Sequence, residues 1–182
     1  MKLCLLAILV ALLGCSTATD TEQVQEQSTK PGENPWVVIN GSDSLLQQKS
    51  YLRITTKKDL AVVWQRHKGQ STTEPFDFYY NPLGMPTIDF ETSMVVAIFD
   101  GRGWNNAGID ARRVFIRNDD LVVRYQDKSF QTAGIDGGGQ LGAAYGFFIL
   151  PRSNRKLVIE EDDQTMGDGG PKWKIVAQLP KL

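Results

Sequence analysis

Three aspartates, Asp100, Asp110 and Asp136, stand in glycine-rich or polar stretches where a carboxylate could act as general acid, base or nucleophile. Paired carboxylates hydrolyse glycosides when a cleft holds them at a set separation, so an envelope hydrolase of this type is one function class open to the chain. A second acidic group is the run Glu160-Glu161-Asp162-Asp163, followed by Asp168-Gly169-Gly170. Its oxygens are hard ligands of the kind calcium takes, with Asp162, Asp163 and Asp168 as candidates. The spacing is not that of an EF-hand, and a solvated turn before a last strand is the plainer reading. His67 is the only histidine, and it lies beside Trp64 on the apolar face of a helix. A packing role suits it better than catalysis. With no second histidine, no thiol outside the first 15 residues and no G-x-S-x-G elbow, zinc sets and nucleophilic triads are disfavoured. Gly137-Gly138-Gly139-Gln140-Leu141-Gly142 matches G-x-G-x-x-G in letters only, because it leads into the strand-like run Tyr145–Leu150 instead of a helix. No catalytic residue and no cofactor are therefore expected.

Residues suited to recognition are better represented. The stretch Asp100–Gly108 combines glycines with Trp104, Asn105 and Asn106, and tryptophan is enriched at binding hot spots. Tyr79 and Tyr80, with Phe76 and Phe78, add a second aromatic group in a long connection. Trp104, Asn105, Asn106, Tyr79 and Tyr80 are the candidate contacts to a protein partner.

One residue carries a covalent expectation. Lys2 precedes an apolar run from Leu3 to Leu13, too short to span a bilayer as a helix, and Leu12-Leu13-Gly14-Cys15 closes it. That layout is a signal peptide, and its last four residues resemble the bacterial lipobox. The resemblance implies cleavage before Cys15, lipidation of its sulfur and usually N-acylation, a combination that anchors stably where one chain would be marginal. Ser16, not Asp, follows the cysteine, which resembles the pattern for release to the outer membrane. The expected location is the bacterial cell envelope.

Removing residues 1–14 leaves 19 basic against 21 acidic residues. This near-neutral balance argues against nucleic acid as a partner and against electrostatic adhesion to anionic lipid. Cys4 leaves with the signal and Cys15 is consumed by lipid, so no disulfide supports the fold. Ser16–Pro35 is rich in Ser, Thr, Gln and Glu without an aromatic residue, the composition of a tether, with a coil reach of roughly 25 Å. The organisation expected is a signal peptide at 1–14, a lipidated cysteine and tether at 15–35, and one domain at 36–182.

Within that domain Thr56-Lys57-Lys58-Asp59 resembles a capping box. Leu60, Val63, Trp64 and His67 recur at helical spacing, and Gly69 is placed to end the helix. The remaining segments read as strands: Trp36–Asn40, Tyr51–Thr55, Ser93–Phe99, Arg112–Arg117, Leu121–Gln126, Tyr145–Leu150, Lys156–Glu160 and Trp173–Leu179. One helix cannot supply the crossovers of a parallel sheet, so the expected class is α+β, a mainly antiparallel sheet of seven or eight short strands with one amphipathic helix packed on it. Three long loops are expected, at Gln70–Thr87, Asp100–Ile109 and Asp127–Ala144.

The order of these motifs resembles a known family. Ile54-Thr55-Thr56 before the helix, Ile88-Asp89-Phe90-Glu91 before Met94-Val95-Val96-Ala97, and Tyr145-Gly146-Phe147-Phe148-Ile149-Leu150-Pro151-Arg152 are similar to the C-terminal domain of the PrcB type. That type is named for a lipoprotein subunit of a bacterial surface protease complex. The resemblance covers roughly Tyr51–Glu160, and in the family a Gly-Gly-aromatic turn stands where this chain has Asn106-Ala107-Gly108-Ile109. It implies an accessory, non-catalytic subunit held to the membrane by lipid and working beside a protein partner.

Overall fold

The computed structural model describes residues 37–69, 84–130, 132, 138–163 and 170–182. Cys15, Ser16–Pro35, Tyr79, Tyr80, Asp136 and Asp168 lie outside them. The elements in chain order are β1 (Val37–Gly41), β2 (Ser50–Ile54), α1 (Lys57–Lys68), β3 (Ser93–Trp104), β4 (Asn106–Arg117), β5 (Asp120–Ser129), β6 (Leu141–Pro151), β7 (Leu157–Asp162) and β8 (Trp173–Leu179). The class is α+β, with the described strands in two four-stranded sheets, ordered β1-β6-β3-β2 and β4-β5-β7-β8.

Local chemistry sets the helix. The Thr56 hydroxyl accepts a bond from the Asp59 amide at 3.1 Å and donates to the Asp59 carboxylate at 2.7 Å. The helix ends at Gly69, whose φ of 70° is left-handed and whose amide closes on the Gln65 carbonyl. Leu60, Trp64 and His67 form its buried face, packed on one side of the first sheet against Val95, Ala97, Phe99 and Phe147. The other side of that sheet meets the second sheet through Met94, Val96, Ile98 and Phe148, facing Val123, Tyr125, Leu157 and Ile159. β3 is thus covered on both faces, which is why its sequence is nearly unbroken apolar.

One expectation is corrected, and the mainly antiparallel arrangement, which holds, gains one detail. Asp100–Ile109 is not a loop. β3 runs on through Trp104, Asn105 alone takes the turn at φ 54°, and β4 begins at Asn106 in the other sheet. The glycines that suggested a loop serve the strands instead. Gly101, at φ 80°, follows a bulge at Asp100, and Gly108, at φ 132°, lies against the β1 backbone. A Cβ on Gly101 would come within 2.9 Å of the Gln47 carbonyl oxygen. Gly101→Ala is therefore expected to cost about 1–3 kcal/mol in strain, read as a fall in melting temperature; an unchanged melting temperature would show the bulge to be dispensable. The added detail is that β5 and β7 pair in parallel. No helical crossover is required, because the strand between them, β6, lies in the opposite sheet and makes the return journey.

Candidate functional site

The corner between β3 and β4 builds an exposed tip. Trp104 pairs in register with Leu141 of β6, and the Phe130 amide donates to the Asn105 carbonyl at 2.9 Å. Asn105 adds two bonds to Gln140: its amide donates to the Gln140 carbonyl at 2.7 Å, and its Oδ1 accepts from the Gln140 amide at 2.8 Å. The three large apolar side chains gathered there are 66 % (Trp104), 38 % (Leu141) and 36 % (Phe130) exposed. The indole lies against Gly139, where an added Cβ would sit 2.7 Å from its Cε3. Gly139 thus leaves room for the ring. Asn106 turns inward, its Oδ1 accepting from the Gly108 amide at 3.0 Å and its side chain bonding Asp127.

The second arrangement is a polar cluster at one end of the inter-sheet core. The inward rows of three strands end in carboxylates: Ile98 is followed two residues on by Asp100, Tyr125 by Asp127, and Ile159 by Glu161. One oxygen from each lies within 4.8 Å of the others. Lys49, just before β2, supplies the countercharge, its Nζ 2.6 Å from Asp100 and 2.9 Å from Glu161. Burial works against the ammonium, but these two carboxylates outweigh it and hold its pKa above the ordinary lysine value. Tyr51 and Tyr125 close the floor with their hydroxyls 3.2 Å apart, both pKa values pushed up by burial. Asp127 has no ammonium of its own, and its buried Oδ1 has no hydrogen-bond partner among the described residues. Burial first, then the charges of Asp100 and Glu161, push its pKa up to about 6. The convergence is that of a cation-binding set, with the chain's own ammonium already among the oxygens.

Of the three aspartates singled out in the sequence, Asp100 belongs to this cluster. Asp110 stands apart on β4 beside Arg112, at 3.6 Å, and Asp136 lies outside the described residues. Asp127 and Glu161 were not singled out for acid–base chemistry, yet the alternation of their strands points both inward.

The acidic run is not a solvated turn. β7 carries Glu160, Glu161 and Asp162, which alternation splits between the two faces, and Asp163 follows the end of the strand. Glu160 is 3 % exposed on the outer face, held by Arg117 and by Arg124 at 2.8 Å, which place its pKa below the ordinary range against the opposing effect of burial. Asp162 accepts from the Lys172 amide at 2.8 Å, and the Asp163 amide donates to the Lys172 carbonyl at 2.8 Å. Asp162 and Asp163 thus brace the approach to β8, so the melting temperature is expected to be the same in millimolar calcium and in chelator; a rise with calcium would restore the calcium reading.

His67 is buried, its Nδ1 2.9 Å from the Ser44 hydroxyl, and its ring meets Tyr145 edge-on at 4.1 Å. Burial, then the charge of Lys68, push its pKa down to about 3. A ring that stays neutral and enclosed serves packing and does not shuttle protons at neutral pH.

No protein family, curated protein or solved structure matches this chain.

Proposed function

We propose that the chain is a lipid-anchored, non-enzymatic accessory lipoprotein of the bacterial envelope that binds a protein partner through the tip around Trp104. The observation that carries this reading is a large aromatic side chain, two-thirds exposed, held at a fixed corner beside exposed Leu141 and Phe130. Tryptophan anchors, once buried against a partner, dominate the energetics of protein interfaces. In this reading Cys15 fixes the protein to the membrane, by preference the outer membrane, and Ser16–Pro35 gives it reach. Asn105 holds the corner, and Asn106 connects it to the β4 backbone. The resemblance to the PrcB-type domain supports a subunit role by analogy of motifs. Photocrosslinking from the tip in native envelopes tests the reading: one dominant protein adduct is expected, and its absence would remove the proposal.

A second reading, a hydrolase using carboxylates, has one observation in its favour. Asp100 and Asp127 stand close together, and Asp127 holds its proton to about pH 6, as a general acid would in mildly acidic conditions. Release of reducing ends from purified envelope glycan, abolished by Asp100→Asn or Asp127→Asn, would establish that reading in place of the first.

A further inference from the structure

We infer that the cluster of Lys49, Asp100, Asp127 and Glu161 is an acid-strengthened latch between the two sheets. The arrangement places three carboxylates around one ammonium. Lys49 reaches Asp100 and Glu161, so it ties β3 of the first sheet to β7 of the second. Asp127 is the member without an ion pair among the described residues, bonded by the Asn106 side chain instead. Its Oδ1 is buried without a hydrogen-bond partner among the described residues, and each neighbouring carboxylate offers another acceptor within 4.8 Å. Three acceptors cannot bond one another. A proton on Asp127 turns one of them into a donor, removes a like charge, and lets Asp127 of β5 bond across to Asp100 or Glu161.

The described groups facing Asp127 account for its environment from every side. They are Lys49 just before β2, Asp100 on β3, Asn106 on β4 and Glu161 on β7, while Tyr51 and Tyr125 line the same cluster beside Glu161. Only Lys49 and the Asn106 amide favour the ionised form, and Lys49 is shared with two other carboxylates. The sign of the effect follows. The folded state keeps the Asp127 proton up to about pH 6, whereas the unfolded chain releases it near the ordinary aspartate value of 3.8. The contribution to stability is complete below the lower value and disappears as pH rises through the upper one. The latch is therefore tight in mild acid and looser at neutral pH, where Lys49 alone holds it.

The test compares melting temperature from pH 4.5 to 7.5 for the full-length protein and Asp127→Asn, with the carboxyl carbon of Asp127 titrated by NMR in the wild type. The wild type is expected to lose about 3–6 °C relative to the variant across this range, and its Asp127 signal to titrate near 6. Lys49→Gln should move that titration upward. Parallel melting profiles for wild type and variant, or an Asp127 signal titrating at the ordinary carboxylate value, would overturn the latch. The NMR arm decides the matter even if the variant does not fold.

Discussion

Replacing Trp64 by alanine is expected to destabilise the protein by about 3–5 kcal/mol, the largest loss of any single substitution considered for this fold. Trp64 is 0 % exposed at the centre of the helix–sheet cluster, with its ring centroid 5.2 Å from Phe147 and 5.4 Å from His67. The β-strands behind it cannot collapse into the space, because Val95, Ala97 and Phe99 are fixed by pairing with β2 and β6. α1 has only 12 residues, and an isolated helix of that length is marginal in water. Its stability therefore comes from the face that Leu60, Trp64 and His67 bury. Equilibrium urea unfolding of wild type and Trp64→Ala measures the loss directly. A cost below about 1 kcal/mol would mean that the helix is not held by this contact.

The second large effect concerns binding and leaves stability alone. Trp104→Ala is expected to weaken partner capture by about 30-fold or more, the scale of a hot-spot tryptophan at roughly 2 kcal/mol. The melting temperature should move little, since most of the side chain already faces solvent. Gly139→Ala approaches the same point from the other side. It leaves the indole in the sequence but pushes a methyl into its resting place, so capture should weaken with Trp104 still present. A titration in which Trp104→Ala binds like wild type would remove the tip from the interface.

The parts of this fold legible in the sequence are those decided by short-range rules. Thr56, Asp59 and Gly69 mark the helix ends because capping involves groups three or four residues apart. Each of the eight expected strand segments overlaps a strand among the described residues, since alternation and β-branched content are local signals. Asp100–Ile109 was misread because glycine and asparagine in series look like a loop when the partner strands are unknown. Only β6 on one side, and β5 with β1 on the other, turn Gly101, Asn105 and Gly108 into bulge, corner and close-approach residues. The cluster around Asp127 was hidden for a related reason. Lys49, Asp100, Asp127 and Glu161 are scattered through the chain, and it takes the packing of two sheets to bring them together. A trace was nevertheless present: each of the three acids follows an inward core residue by two positions, so extending the strand period past Ile98, Tyr125 and Ile159 would have aimed all three at one space. Trp104 reads as a candidate anchor from its residue type and setting, but its outward placement depends on Gly139 and Leu141, which lie more than thirty residues away.

The central claim is that the Trp104 tip is where a protein partner binds. The most direct measurement places a photoreactive side chain at Leu141 in the lipidated protein, irradiates native envelopes, and resolves the adducts by mass. The same probe at Ile116, which is exposed on the far end of β4, serves as the control. One dominant protein adduct is expected from position 141, lost with Trp104→Ala, reduced when Cys15→Ala frees the chain from the membrane, and absent from position 116. Equal labelling from both positions, or an adduct at 141 that Trp104→Ala leaves unchanged, would contradict the claim.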